Sequence, residues 1–243
     1  MPDFRYNLSV DIHDVDYNGV AKASALMRYM QTAAQSQLTS IGLSYDELKA
    51  RGRAFLLSKI KMEFTEPTRA YEPLTAISYP CESRAFSFLR CYALERDGVV
   101  IGRAASIWAL VDTESRALVP VSKFDLDLEL MPHNDMSLDR IVMPKNITEV
   151  GSYTVNYADT DQNRHMNNTH YPDMICDFLD EITDREHPSR ISAMSLSYLK
   201  ESALGATLTV MRGRADEQGN IALRTLNESG DTCLEAIVKL IKI

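Results

Sequence analysis

The chain repeats itself. Displaced by 145 residues, "LSVDIHDVDYN" (residues 8–18) falls on "YTVNYADTDQN" (residues 153–163). Val10 then meets Val155, and Asp14, Asp16 and Asn18 meet Asp159, Asp161 and Asn163. A repeat of this kind constrains the fold strongly, because it demands two similar units in one chain. In the first copy, Leu26, Met30, Ala33, Ala34, Leu38 and Ile41 recur at helical spacing and Gly42 supplies a stop. In the second, Tyr171, Ile175, Phe178, Leu179 and Ile182 do the same, with Asn168 or Thr169 as N-cap and Pro172 in the first turn.

After each helix the pattern changes to strands. The first half offers "AFLLSKIKMEF", "PLTAISYP", "FSFLRCYALER" and "VVIGRAASIWALVD", with Asp97-Gly98 as a hairpin turn. The second offers "RISAMSLSYLKES", "ATLTVMRGRA", "IALRTLNES" and "TCLEAIVKLIKI". Each half is therefore expected to run strand, long helix, then about four antiparallel strands, an α+β unit whose helix stripe and sheet face cover each other. Residues 1–121 form the expected first domain, 122–149 a linker and 150–243 the second domain. Pairing the two sheets edge to edge would remove exposed edges, so a pseudo-dimer is expected.

The 243 residues suit two domains of roughly 100–150 each. A net charge of −8 argues against a general nucleic-acid binder, which needs a basic face. No apolar run approaches the ~18 residues of a membrane span, and the N-terminus lacks the apolar core of a signal peptide. The four cysteines show no CxxC spacing, so reduced thiols and a cytoplasmic location are expected.

The stretch "YADTDQNRHMNN" (residues 157–168) holds more short polar side chains than a helix start requires. Calcium fits poorly. Position twelve of an EF-hand loop should be Glu, whereas the two copies offer Ala25 and His170, and Arg164 stands where the second loop needs glycine. Zinc fits no better, with His165 and His170 five apart and no cysteine nearby. Helix capping explains the first copy, where Val20 stands at the position of His165. It explains the second less well, because an ionisable group has been placed in one twin only. The residues alone leave catalysis and capping both standing. No G-x-S-x-G elbow, Walker loop or Rossmann glycine pattern is present, and Cys176 lies beside an apolar stripe, as an inert buried thiol would.

The stretch "DQNRHMNNTHY" (residues 161–171) resembles the D-x-N-x-H-x-N-N-x-x-Y signature of the acyl-acyl carrier protein (acyl-ACP) thioesterases, plant and bacterial enzymes built as tandem hotdog domains. Further on, "YLKES" (residues 198–202) stands where the family carries Tyr-x-x-Glu-Cys, with Ser202 in place of the cysteine. The resemblance implies two hotdog domains forming a pseudo-dimer, and hydrolysis of fatty acyl-ACP to free fatty acid and holo-carrier protein, ending chain extension. Carried over residue by residue, it implies Asp161, Asn163, His165 and Glu201 as catalytic residues. Asn167, Asn168 and Ser202 become substrate contacts, and Met27, Met30 and Met62 become walls of an acyl tunnel in the first half, where unbranched thioethers adapt to a flexible chain. Core packing accounts equally well for each methionine.

Thioester hydrolysis needs an activated water, donors for an oxyanion and a proton for a thiolate that leaves easily. Glu201 suits the base on water, or a carboxylate nucleophile; His165 suits the proton donor, and N–H groups near residues 167–169 the oxyanion. The expected partner is an acyl carrier protein bearing a fatty acyl thioester, met by a basic patch at residues 49–53 with Lys59 and Lys61. No cofactor, metal, nucleic acid or membrane span is expected, and a homodimer is left open. The alternatives are an acyl-CoA thioesterase and a non-catalytic hotdog protein that binds acyl thioesters.

Overall fold

The computed structural model describes residues 3–124 and 128–243. In the first half, β1 (Phe4–Ser9) leads through a 3-10 turn to α1 (Ala23–Ser40) and α2 (Tyr45–Ala50). Strands β2 (Arg53–Phe64), β3 (Pro73–Pro80), β4 (Phe88–Arg96), β5 (Val99–Asp112) and the two-residue β6 (Leu118–Val119) follow. The second half repeats the plan with β7 (Thr148–Thr154), a 3-10 turn, α3 (Tyr171–Cys176), α4 (Asp180–Thr183), β8 (Ser189–Tyr198), β9 (Thr207–Arg212), β10 (Asn220–Leu226) and β11 (Thr232–Lys242).

All strands join one antiparallel sheet ordered β1-β3-β4-β5-β2-β8-β11-β10-β9-β7, with β6 hydrogen-bonded to β5. Each half contributes the same strand order, and the halves meet edge to edge through β2 and β8, as the repeat predicts. The seam pairs Ile60 with Leu196 and Met62 with Met194, and all four side chains are fully buried. At roughly 1.5–3 kcal/mol for each large apolar side chain removed from water, this seam welds the halves into one core.

The hairpin predicted at Asp97-Gly98 forms with both residues at positive φ (52° and 77°), the geometry that matches the twist of its strands. Helix α1 buries Leu26, Met27, Met30, Ala33 and Ala34 against the sheet. It stops where Gly42 takes φ +72° and the Leu43 N–H reaches back to the Leu38 carbonyl at 2.9 Å. Helix α2 starts at once on a capping box: the Ser44 hydroxyl accepts from Glu47 N–H and the Glu47 carboxylate accepts from Ser44 N–H.

The second helix departs from expectation. Residues 171–182 do not make one long helix but two short ones, α3 and α4. The Phe178 carbonyl is drawn out of the helical ladder by Arg212 Nη1, which donates to it at 3.1 Å. The Phe178 ring lies so close to Gly151 of β7 that a Cβ there would stand 3.0 Å from it. Leu179 then turns out of helical conformation (φ −118°, ψ 89°) and is fully buried. The N-cap expectation also fails: α3 starts at Tyr171 with His170 at the cap, not Asn168 or Thr169, because the Asn167 side chain already accepts the Thr169 N–H at 2.9 Å. Pro172 does lie in the first turn.

Residues 125–127 of the expected linker lie outside the described residues, and several of its described side chains pack on the sheet. Met136 and Leu138 pack on Cys81, Cys91 and Ala105, while Asn134 Nδ2 donates to the Ala104 carbonyl at 2.9 Å. Farther along, Pro144 lies over Gly213, so the segment straps the sheet face opposite the helices. Strand β7 begins inside it, at Thr148. The four cysteines carry free thiols. Among the described residues no helix is long and apolar enough to cross a membrane.

Candidate active site

The two D-x-D-x-N turns fold alike. In the first, Asp16 N–H donates to the Val20 carbonyl (2.8 Å) and Gly19 N–H to the Asp16 carbonyl (2.9 Å). In the second, Asp161 N–H donates to the His165 carbonyl (3.0 Å) and Arg164 N–H to the Asp161 carbonyl (2.9 Å). Gly19 sits at φ +71° and Arg164 at φ +66°, so the second copy holds a side-chain-bearing residue in a left-handed conformation, at a cost of about 1 kcal/mol. The leading aspartates bond within their own halves. Asp14 accepts from Tyr29 OH and Arg28, and Asp159 from Asn156 N–H.

Each turn then pairs with the segment that follows its half's first long strand. Ala21 N–H donates to the Thr68 carbonyl at 2.7 Å, and Met166 N–H to the Ser202 carbonyl at 2.8 Å. This register sets Pro67 opposite Glu201, and Val20 opposite His165. The twin has neither ionisable group. In the second half, pairing of His165 with Ala203 brings His165 Nε2 to 3.8 Å from Glu201 Oε2, with both side chains about one-third exposed. Asp161 Oδ1 accepts the Asn163 N–H at 2.8 Å, fixing Asn163 beside them. Asp161, Asn163 and His165 thus share one turn, and Glu201 lies against it.

The other expected residues divide. Asn168 is held twice, its side-chain oxygen accepting from Gln31 Nε2 and its carbonyl from Tyr198 OH, both at 2.8 Å. Of the three backbone N–H groups considered for an oxyanion, Asn167 N–H donates to the Asp159 carbonyl and Thr169 N–H to the Asn167 side chain. Asn168 N–H is the remaining donor. Ser202 is 2% exposed and its hydroxyl accepts from Tyr171 OH at 3.0 Å, on the inner side of the segment that carries Glu201. Burial pushes the Tyr171 phenol up to about 12, so it remains a donor. Met27, Met30 and Met62 are fully buried core residues with no exposed surface. Burial likewise pushes the Cys176 thiol up to about 12, as an inert thiol requires.

Besides Gln31, two contacts from the first half reach the catalytic candidates themselves. Tyr45 OH, at the start of α2, donates to Asn163 Oδ1 at 2.7 Å, and Arg116 Nη2, in the β5–β6 turn, donates to Glu201 Oε2 at 2.9 Å. They lie 118 and 85 positions from their partners, and neither belongs to a motif. The expected basic patch is partly dismantled: Arg53 pairs with Asp112, Lys59 donates to the Leu138 and Asp139 carbonyls, and Lys61 pairs with Glu63. Lys49 and Arg51 stay exposed on and beside α2.

A cavity of about 310 Å³ lies not at this cluster but beside the twin turn, among Val20, Pro67, Thr68, Asp173 and Cys176. Volume and chemistry therefore part company. The cavity lining holds carboxylates, among them Glu66, Asp173 and Asp177, but no histidine beside them, so the His165–Glu201 pair remains the candidate for catalysis.

No curated protein matches the chain. Among solved structures, it is similar to an acyl-ACP thioesterase from Bacteroides thetaiotaomicron, with 21% identity, 99% of this chain and 98% of that chain covered, and a TM-score of 0.88. It is also similar to the 12:0-ACP thioesterase from Umbellularia californica, with 17% identity, 100% and 98% covered, and a TM-score of 0.83. At these identities the likeness establishes the fold. Residues 2–125 match the family model described as the acyl-ACP thioesterase N-terminal domain, and residues 143–242 match that of the C-terminal domain. With both domains present in order, the chain belongs to the acyl-ACP thioesterases, hydrolases of the thioester between a fatty acyl chain and its carrier protein.

Proposed function

We propose that the protein cleaves fatty acyl-ACP with a water activated by Glu201 at the His165–Glu201 cluster in its second half. The observation that carries this reading is the pairing of His165 with Glu201 beside the Asp161–Asn163 turn, in one twin only. Glu201 Oε2 faces both Arg116 and His165, which leaves Oε1 to take a proton from water. The hydroxide so formed attacks the thioester carbonyl. Asn168 N–H, held in place by Gln31 and Tyr198, meets the oxyanion. As the tetrahedral intermediate collapses, the C–S bond breaks and His165 gives the leaving thiolate its proton. Asn163, anchored by Asp161 and Tyr45, orients the water. The acyl chain enters the first half among Met27, Met30 and Met62, whose flexible side chains repack around it. The acidic carrier protein approaches the exposed Lys49, Arg51 and Arg164.

Expression in a bacterium, with mass analysis of released free fatty acids, tests the activity. Purified enzyme should turn over a carrier-protein thioester faster than the coenzyme A thioester of the same chain. Equal rates would mean that the carrier protein contributes nothing to recognition and would overturn the docking of an acidic partner. Binding of both without turnover would make it an acyl-thioester binder.

Ser202 separates water attack from attack by a hydroxyl. Its Oγ is buried against Tyr171, so Ser202→Ala should retain more than half of the wild-type turnover. Leaving the Tyr171 hydroxyl unpaired should cost about 1–3 kcal/mol of stability, visible as a lower Tm. A folded but inactive Ser202→Ala enzyme would transfer the nucleophile to Ser202.

A further inference from the structure

We infer that Arg116 is a positioning residue for the hydrolysis: reaching over from the first half, it holds the Glu201 carboxylate so that one defined oxygen faces the water. The inference rests on Glu201 being the base. Arg116 lies in the turn between β5 and β6, at φ +61°, with its N–H donating to the Asp112 carbonyl at 2.9 Å. The Asp112 side chain accepts from Glu114 N–H, Ser115 N–H and the Ser115 hydroxyl, and pairs with Arg53. The guanidinium is therefore delivered from a braced turn. Its Nη2 meets Glu201 Oε2, the same oxygen that faces His165, at 2.9 Å.

The pair has little to offer the fold. Arg116 is 66% and Glu201 38% exposed, and ion pairs of that kind contribute about 0–1 kcal/mol. A long, half-exposed carboxylate has several rotamers open to it, however, and Glu201 is tied to no other donor within hydrogen-bonding distance among the described residues. A misplacement of about 1 Å at a reacting group is enough to cost about 10²-fold in rate. The contact thus matters for where the carboxylate points, while contributing little to holding the halves together. The twin has Pro67 at the position of Glu201, so the first half has no carboxylate of its own at that position for Arg116 to hold.

The test is a kinetic cycle on the full chain. Arg116→Ala should lower kcat about 10–100-fold with KM changed by less than about threefold and Tm moved by less than about 4 °C. Arg116→Lys, or added free guanidinium, should restore part of the rate, which a structural role would not allow. In a Glu201→Gln background, Arg116→Ala should have no further effect, because the arginine acts only through that carboxylate. Full turnover by Arg116→Ala, alongside a crippled Glu201→Gln, overturns the inference and leaves the base assignment intact. A rise in KM alone would make Arg116 a substrate contact instead. Full activity of Glu201→Gln would overturn both.

Discussion

Glu201→Gln should lower turnover by about 10²–10⁴-fold while the protein folds and melts much as before. Glutamine keeps the shape of the side chain, and its amide oxygen can still accept from Arg116. What it loses is the capacity to take a proton. The expected loss corresponds to about 3–5 kcal/mol of transition-state stabilisation, at 1.36 kcal/mol per tenfold. The ion pair it weakens is exposed, so stability should fall by no more than about 1 kcal/mol, or about 2–4 °C in Tm for a chain of this size. Rate and stability thus move by very different amounts, and steady-state kinetics beside a thermal melt separates them. A variant that keeps more than a tenth of wild-type turnover would remove Glu201 from the role of base. If Glu201 were instead the nucleophile, it would form a mixed anhydride with the acyl group as the thiolate leaves. Single turnover in ¹⁸O-labelled water would then place label in the Glu201 carboxylate when water attacks that anhydride at the Glu201 carbonyl. Direct attack of water on the thioester never labels Glu201.

Much of this architecture was legible in the sequence because the repeat and the strand periodicity are local signals. β3 and β5 coincide with "PLTAISYP" and "VVIGRAASIWALVD", each bounded by Pro, Gly or Asp, and the edge-to-edge seam follows from having two like sheets. The break between α3 and α4 was not legible. Its causes are Arg212 and Gly151, on strands remote in sequence from Phe178, while the residues of the helix itself keep an unbroken apolar stripe. The catalytic candidates in the turn could be named because they share a motif of a few residues. Tyr45 and Arg116 could not, since each meets its partner only once the two halves are joined. Ser202 marks the boundary between these cases: its place beside Glu201 was readable, but its orientation toward Tyr171 depends on which way the chain faces after β8.

The twin turns supply a control within the molecule, and matched substitutions in them should have opposite consequences. Asp161→Ala and Asn163→Ala should each lower turnover by about 10²-fold or more, since they release the group that orients the water. Their effect on folding should be small. Asp161 Oδ1 accepts one backbone N–H, from Asn163, and Asn163 is exposed. Asp16→Ala should do the reverse. Asp16 Oδ1 accepts two backbone N–H groups, from Asn18 at 2.8 Å and Val20 at 3.0 Å, so its loss should cost about 1–2 kcal/mol and lower Tm by several degrees. Turnover per folded molecule should stay within twofold of wild type, because Val20 stands there at the position of His165 and the His165–Glu201 pair is left untouched. Asn18→Ala should be close to neutral in both respects: the Asn18 Nδ2 group is buried without a hydrogen-bond partner, so removing it relieves an uncompensated donor. Measuring kcat and Tm for the four variants places each on one axis or the other. Comparable catalytic losses from Asp16→Ala and Asp161→Ala would mean that both turns serve the reaction, and the assignment of a single site to the second half would fall.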